Sequence, residues 1–116
     1  MDDKYRYKLR PGYGSEKLLL EFDAVETPEY FLLELVNMLS LCGFEQMGTI
    51  DLWMNDEILI GMRSTNGTIT LSLNIWGMIF IVGNHNQQDI LRIDELLALS
   101  QAFEKQEVDF SAYRIS

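Results

Sequence analysis

Three tight-turn signals in the middle of the sequence constrain the fold more than any other feature. Asn55-Asp56, Asn66-Gly67 and Gly77 each fall between short apolar runs, at the spacing of hairpin connections. They predict a meander of four antiparallel strands, roughly 48–54, 57–64, 68–75 and 78–83. The third strand alternates, with Ile69, Leu71, Leu73 and Ile75 on one face and Thr68, Thr70, Ser72 and Asn74 on the other. That is the pattern of a sheet with one face on a core and one toward water. Residues 58–60 and 78–82 are apolar on both faces, which predicts partial cover of the second face as well.

The segments on either side complete the architecture. Residues 4–10 alternate Lys4, Arg6, Lys8 and Arg10 with Tyr5, Tyr7 and Leu9, a period of two. After a Pro-Gly-Tyr-Gly turn at 11–14, residues 17–25 alternate again, so the two strands are expected to pair as a hairpin. Thr27-Pro28-Glu29 has the grammar of a helix start, namely a hydroxyl cap, a proline at the first position and an acid at the positive dipole end. The set Phe31, Leu32, Leu35, Val36, Met38, Leu39 and Cys42 follows helical spacing up to a stop at Gly43. Residues 83–89 read as a loop. A second helix is expected from Asp89 or Asp94, with Leu96, Leu97, Leu99, Ala102 and Phe103 as its apolar set and Lys105 near its end. Val108, Phe110 and Ala112 alternate in the tail, as a short final strand would. The expected fold is α+β, an antiparallel sheet of five to seven strands (N-terminal hairpin plus four-strand meander) with two helices packed on one face. At 116 residues this is one domain, 1–116, able to bury roughly two thirds of its unfolded surface without staples.

Charge then narrows the possible partners. Eighteen acids against nine bases give a net charge of −9. Residues 1–17 carry a local net of +2 and the remainder −11, and Arg63 is the sole base between Lys17 and Arg92. Such a field repels nucleic acid and anionic membrane and favours a basic protein, although solubility alone also selects acidic surfaces. The longest apolar stretch, 75–83, is too short to span a bilayer, and Met1-Asp2-Asp3 lacks signal-peptide character, so the expected location is cytoplasmic. The basic, tyrosine-interleaved segment 4–10 superficially suits single-stranded nucleic acid. Against so acidic a remainder, it reads instead as charge protecting an exposed sheet edge.

No catalytic, cofactor or metal site is predicted. One cysteine, Cys42, and one histidine, His85, cannot build a thiolate or imidazole cluster. Cys42 ends an apolar helix face and reads as a small buried hydrophobe. His85 lies between Asn84 and Asn86 without a local carboxylate partner. The glycines fall in no phosphate-loop or dinucleotide spacing. Carboxylate pairs occur at Asp56-Glu57, Asp94-Glu95 and Glu21 with Asp23, but the first two sit at a turn tip and a helix start, where acids are common for local reasons.

The tryptophans point to a surface. If Ile50, Leu52 and Met54 face inward, Trp53 faces outward beside Asp51, and Trp76 shares parity with Thr70, Ser72 and Asn74. Trp53 within Asp51, Asp56 and Glu57 then forms an aromatic anchor in an acidic rim, with Glu21, Asp23 and Trp76 as further partner-facing candidates. Cover of that face by a helix, the tail or a second copy of the chain is an equal alternative. Residues 48–57, Gly-Thr-Ile-Asp-Leu-Trp-Met-Asn-Asp-Glu, together with the Thr65-Asn-Gly-Thr68 hairpin, the size and the charge, resemble the small acidic immunity proteins of bacterial contact-dependent and polymorphic toxin systems. The basic N-terminal strand departs from the uniformly acidic surface of that group. The resemblance implies a non-enzymatic, cofactor-free protein whose partner is a basic toxin domain, commonly a nuclease. The alternatives are a homodimeric regulatory or scaffold module, and a small carboxylate-dependent hydrolase.

Overall fold

A computed structural model describes residues 5–12, 17–23, 28–52, 57–74, 77–83, 85–101 and 103–108. Seven strands and two helices follow in the order β1 (Tyr5–Pro11), β2 (Leu18–Phe22), α1 (Pro28–Leu41), β3 (Glu45–Leu52), β4 (Glu57–Ser64), β5 (Gly67–Leu73), β6 (Ile79–Val82), α2 (Gln87–Leu99) and β7 (Phe103–Lys105). They form one sheet of order β3-β4-β5-β6-β2-β1-β7. Both the N-terminal hairpin and the four-strand meander are present, each pairing antiparallel. The sheet is mixed rather than wholly antiparallel, because β7 runs parallel to β1.

The topology explains why both helices share a face. Counting antiparallel steps along the sheet, β2 and β3 are parallel, and so are β6 and β7. Each helix is therefore a crossover between parallel strands, and such crossovers are right-handed. Because β2 and β6 are antiparallel and their crossovers leave in opposite directions, a half-turn about the sheet normal relates them and keeps both helices on one side. There α1 contributes Phe31, Leu32, Leu35, Val36 and Leu39, and α2 contributes Ile90, Ile93 and Leu97. They cover Tyr7, Leu20, Phe22, Met62, Ile69, Leu71, Ile79 and Ile81 of the sheet, all within 1% of full burial. Phe31 lies 5.4 Å from Phe22 and 6.0 Å from Phe103 between ring centroids, so an aromatic cluster seals the end near β7.

Local chemistry sets the helix ends. Gly43 follows α1 at φ +98°, with Phe44 N–H donating to Leu39 O (3.1 Å) and Gly43 N–H to Ser40 O (3.4 Å). This is a Schellman cap, and Leu39 and Phe44 are both buried in the same core. Helix α2 starts earlier than expected, at Gln87, so only part of 83–89 is loop. Gln87 fixes this start by donating to Leu18 O and Gly83 O (both 3.0 Å) while accepting from Leu18 N–H at 2.7 Å. The helix also ends earlier. Leu99 is 84% exposed and Phe103 and Lys105 belong to β7, so the apolar set runs through Ile90, Ile93 and Leu97 instead. Val108 is half-buried outside any strand, while Phe110 and Ala112 lie outside the described residues.

Two strand details also differ from the alternation in the sequence. The β4–β5 turn is Thr65-Asn66, with Gly67 already paired to Ser64, because Ser64 Oγ takes the Asn66 N–H at 3.0 Å and closes the turn one residue early. Strand β3 starts at Glu45 and carries a bulge between Gln46 and Gly48. No helix among the described residues is long and apolar enough to cross a membrane.

Candidate functional site

The expected acidic surface centres on β3 and the start of β4. In the register Asp51 lies opposite Ile58 and Ile50 opposite Leu59, and the side chains of Asp51 and Ile50 lie outside the described residues. The helix-free face is itself partly apolar, with Leu59, Phe80 and Val82 half-buried. Glu57 opens β4, half-buried and with no basic side chain against it among the described residues. Trp53, Asp56 and Trp76 lie outside the described residues.

Glu21 and Asp23 are brought together with the basic strand. Arg10 donates through Nε (2.8 Å) and Nη2 (2.7 Å) to Glu21 Oε1, and Lys8 Nζ stands 3.7 Å from Glu21 and 3.9 Å from Asp23. Arg10 and Glu21 are each only 8% exposed, and the guanidinium also lies over Phe80. A partner reaching for Glu21 must compete with Arg10. Strand β1 is not a sheet edge, since β2 and β7 flank it, so its bases neutralise neighbouring acids rather than guard an edge. The same holds elsewhere. Arg6 pairs with Glu104 (3.8 Å), Arg63 with Glu45 (3.0 Å), Arg92 with Asp89 (3.8 Å) and Lys105 with Asp94 (3.0 Å). Exposed Glu34, Glu95 and Glu107 have no basic partner of this kind among the described residues.

A second site gathers residues that the sequence leaves scattered. Asp89, fully buried, accepts from Ser64 Oγ, from Asn86 Nδ2 at 2.7 Å and from Asn66 Nδ2 at 3.2 Å. Burial alone raises a carboxyl pKa, but these three bonds and the nearby Arg92 outweigh it and hold Asp89 below its ordinary value. Arg92 also donates to Cys42 O at 2.6 Å and lies over Phe44, so Asp89 links the β4–β5 turn, the start of α2 and the cap of α1. Above this anchor is a cleft of about 390 Å³, lined by Asn66, Thr68, Thr70, Val82, His85 and Asn86 among others. Gly83 permits its tight floor, since a Cβ there meets Asn86 O at 3.1 Å and Ile69 at 3.2 Å. One signal for this site exists in the sequence. Asn86-x-x-Asp89 has the spacing of a helix-start box, with an N-cap residue and an acid three positions on.

Other titratable groups serve the core. Tyr7 donates to Asp94 Oδ1 (3.1 Å) and lies 3.2 Å from Asp94 O, and burial, then the charge of Asp94 and this bond, push its phenol well above the usual range. Cys42 is half-buried against the core, and His85 is an exposed member of the cleft lining. Among the described residues no three His, Cys, Asp or Glu side chains gather as metal ligands. No family model, curated protein or solved structure matches this chain.

Proposed function

We propose that this chain is a non-enzymatic binding protein of the bacterial cytoplasm, an immunity protein that neutralises a basic toxin domain through its acidic surface. The observation that carries the reading is the disposition of the bases. Of nine basic residues, Arg6, Lys8, Arg10, Arg63, Arg92 and Lys105 lie within 3.9 Å of an acid of the same chain, while exposed Glu34, Glu95 and Glu107 have no such base among the described residues. The basic first strand, which alone departs from an acidic surface, is matched by Glu21, Asp23 and Glu104. Complementary charge speeds encounter with a cationic partner, and a buried aromatic such as Trp53 slows release.

The test begins with capture of the tagged protein from its native cells, keeping any basic chain that is harmful when expressed alone and harmless when this protein is co-expressed. With that partner, Asp56→Lys combined with Glu57→Lys slows association roughly tenfold at low salt and flattens its salt dependence. Trp53→Ala mainly accelerates dissociation. Unchanged association and dissociation for both variants removes this surface assignment.

A second reading, the homodimeric regulatory or scaffold module, is favoured by one observation. Tyr30, Leu33 and Leu41 lie along α1 at 61%, 62% and 90% exposure. An apolar stripe of this kind is what a two-fold interface would cover. Sedimentation at micromolar concentration separates the readings, since this one requires a dimer.

A further inference from the structure

We infer that the cleft over Asp89 is a receptor for a guanidinium group, the side chain of an arginine on a basic partner. The inference deepens the proposed function and rests on it for the source of the ligand. The chemistry of the cleft comes from its own residues.

Two asparagines of the lining donate their Nδ2 to one buried carboxylate, Asn66 to Asp89 Oδ1 and Asn86 to Asp89 Oδ2. This fixes how both amides are turned. With each nitrogen drawn toward Asp89, each carbonyl oxygen is the end left for a ligand. Asn86 is only 4% exposed and lines the cleft, with its side chain packed beside Gly67. The hydroxyls of Thr68 and Thr70 and the imidazole of His85 add groups able to accept hydrogen bonds on the remaining walls. The lining is thus rich in groups able to accept and, among the described residues, holds no lysine or arginine. A ligand that only donates, through several coplanar N–H groups, fits it, and guanidinium has five such donors in a fixed fork. Val82 supplies an apolar wall for the aliphatic stem of the same side chain.

The start of α2 argues for an anion instead, but it loses on magnitude. A helix N-terminus is worth about +0.5 charge, against the full negative charge of Asp89 in its first turn. Arg92 offsets that charge only partly, being 45% exposed, 3.8 Å away and engaged through its other nitrogen with Cys42 O. The net of −9 over the chain acts in the same direction, since it concentrates cations at the surface and repels phosphate.

The test needs no partner and uses the full chain, labelled with ¹⁵N and titrated with N-acetylarginine amide. The expected result is a saturable shift of the side-chain amides of Asn66 and Asn86 and of the backbone amides of Gly67, Thr70 and Gly83. The uncharged citrulline analogue binds at least about tenfold more weakly, a difference of 1.4 kcal/mol. Thr70→Val, which keeps the shape of a half-buried wall residue and removes one acceptor, weakens the arginine compound about threefold to tenfold, with a thermal melt confirming the fold. Equal binding of the citrulline and arginine compounds overturns the proposal, as does tighter binding of N-acetyllysine amide. Saturable shifts of the same residues with inorganic phosphate, or none with the arginine compound, also overturn it. Those failures leave the acidic-surface reading intact, because that reading fails on partner kinetics with Asp56 and Glu57, which are not among the cleft-lining residues.

Discussion

Arg10 and Glu21 sit diagonally across the β1–β2 pair, Nη2 to Oε1 at 2.7 Å, with Lys8 directly opposite Glu21 in the register. The most basic segment of the chain is therefore spent on its own sheet, and what resembles a nucleic-acid strand in the sequence is half of a nearly buried ion pair. Removing one partner strands the other. Glu21→Leu and Arg10→Met are each expected to cost about 3 kcal/mol in urea unfolding, the scale for breaking a buried pair. The double variant Arg10→Met with Glu21→Leu is expected to recover most of that loss, since apolar replacement of both partners is close to neutral. Additive single costs in the double variant would refute this account of the pair.

Asp89 gives the fold an acid limit. Its carboxyl is held below its unfolded value, so the stability it contributes is present above about pH 4 and is lost as pH falls through the lowered native value. Asp89→Asn, which removes the charge and leaves one accepting oxygen where two take Ser64, Asn66 and Asn86, is expected to cost about 2–3 kcal/mol at pH 7. The gap between wild type and variant should narrow steadily below pH 4, as followed by urea unfolding at each pH. A gap independent of pH would mean that the carboxylate charge is not what holds the turn to α2.

The parts of this structure that were legible in the sequence are those fixed by local period. Helix α1 and the alternation of β5 follow from residue spacing because each buries one face, and the first hairpin follows from its period although Arg10 and Glu21 are buried on its second face as well. Strand β3 is less legible, since half-buried Leu59 and Phe80 make the helix-free face apolar too and the strand lies at the sheet edge with a bulge. Strand β7 has three residues and pairs parallel with β1, an arrangement set by the α2 crossover and invisible in local pattern. The cleft was hidden for a similar reason. Ser64 and Asn66 meet Asn86 and Asp89 only because β5 and β6 return the chain to the same end of the sheet.

The cap of α1 makes a conformational prediction. Gly43 holds φ +98°, and a Cβ there would meet nothing nearer than Arg92 Nη2 at 3.8 Å. Space is available but the backbone region is not, so Gly43→Ala is expected to lose roughly 1–2 kcal/mol in thermal or urea unfolding. Because Arg92 packs beside this cap and pairs with Asp89, amide exchange should quicken at the end of α1 and at the start of α2 together. Faster exchange confined to α1 would show the two helix ends to be uncoupled.

Tyr7 and Asp94 set the alkaline limit. The Tyr7 phenol is held above its unfolded value by burial and by Asp94, whose other oxygen takes Lys105 at 3.0 Å. Its contribution is fully present below about pH 10 and is lost as pH rises through the raised native value, because the unfolded phenol ionises first. Tyr7→Phe keeps the ring contact with Phe22 and removes only the hydroxyl, so it is expected to cost about 1–1.5 kcal/mol at pH 7. Above pH 10 wild type should lose stability faster than the variant, until the two curves approach one another. In a spectrophotometric titration at 295 nm, native protein should show one tyrosine fewer ionising than the same protein in urea, and this deficit should vanish in Tyr7→Phe. A full complement of tyrosines ionising together in the native protein would place the Tyr7 hydroxyl in water and refute its bond to Asp94.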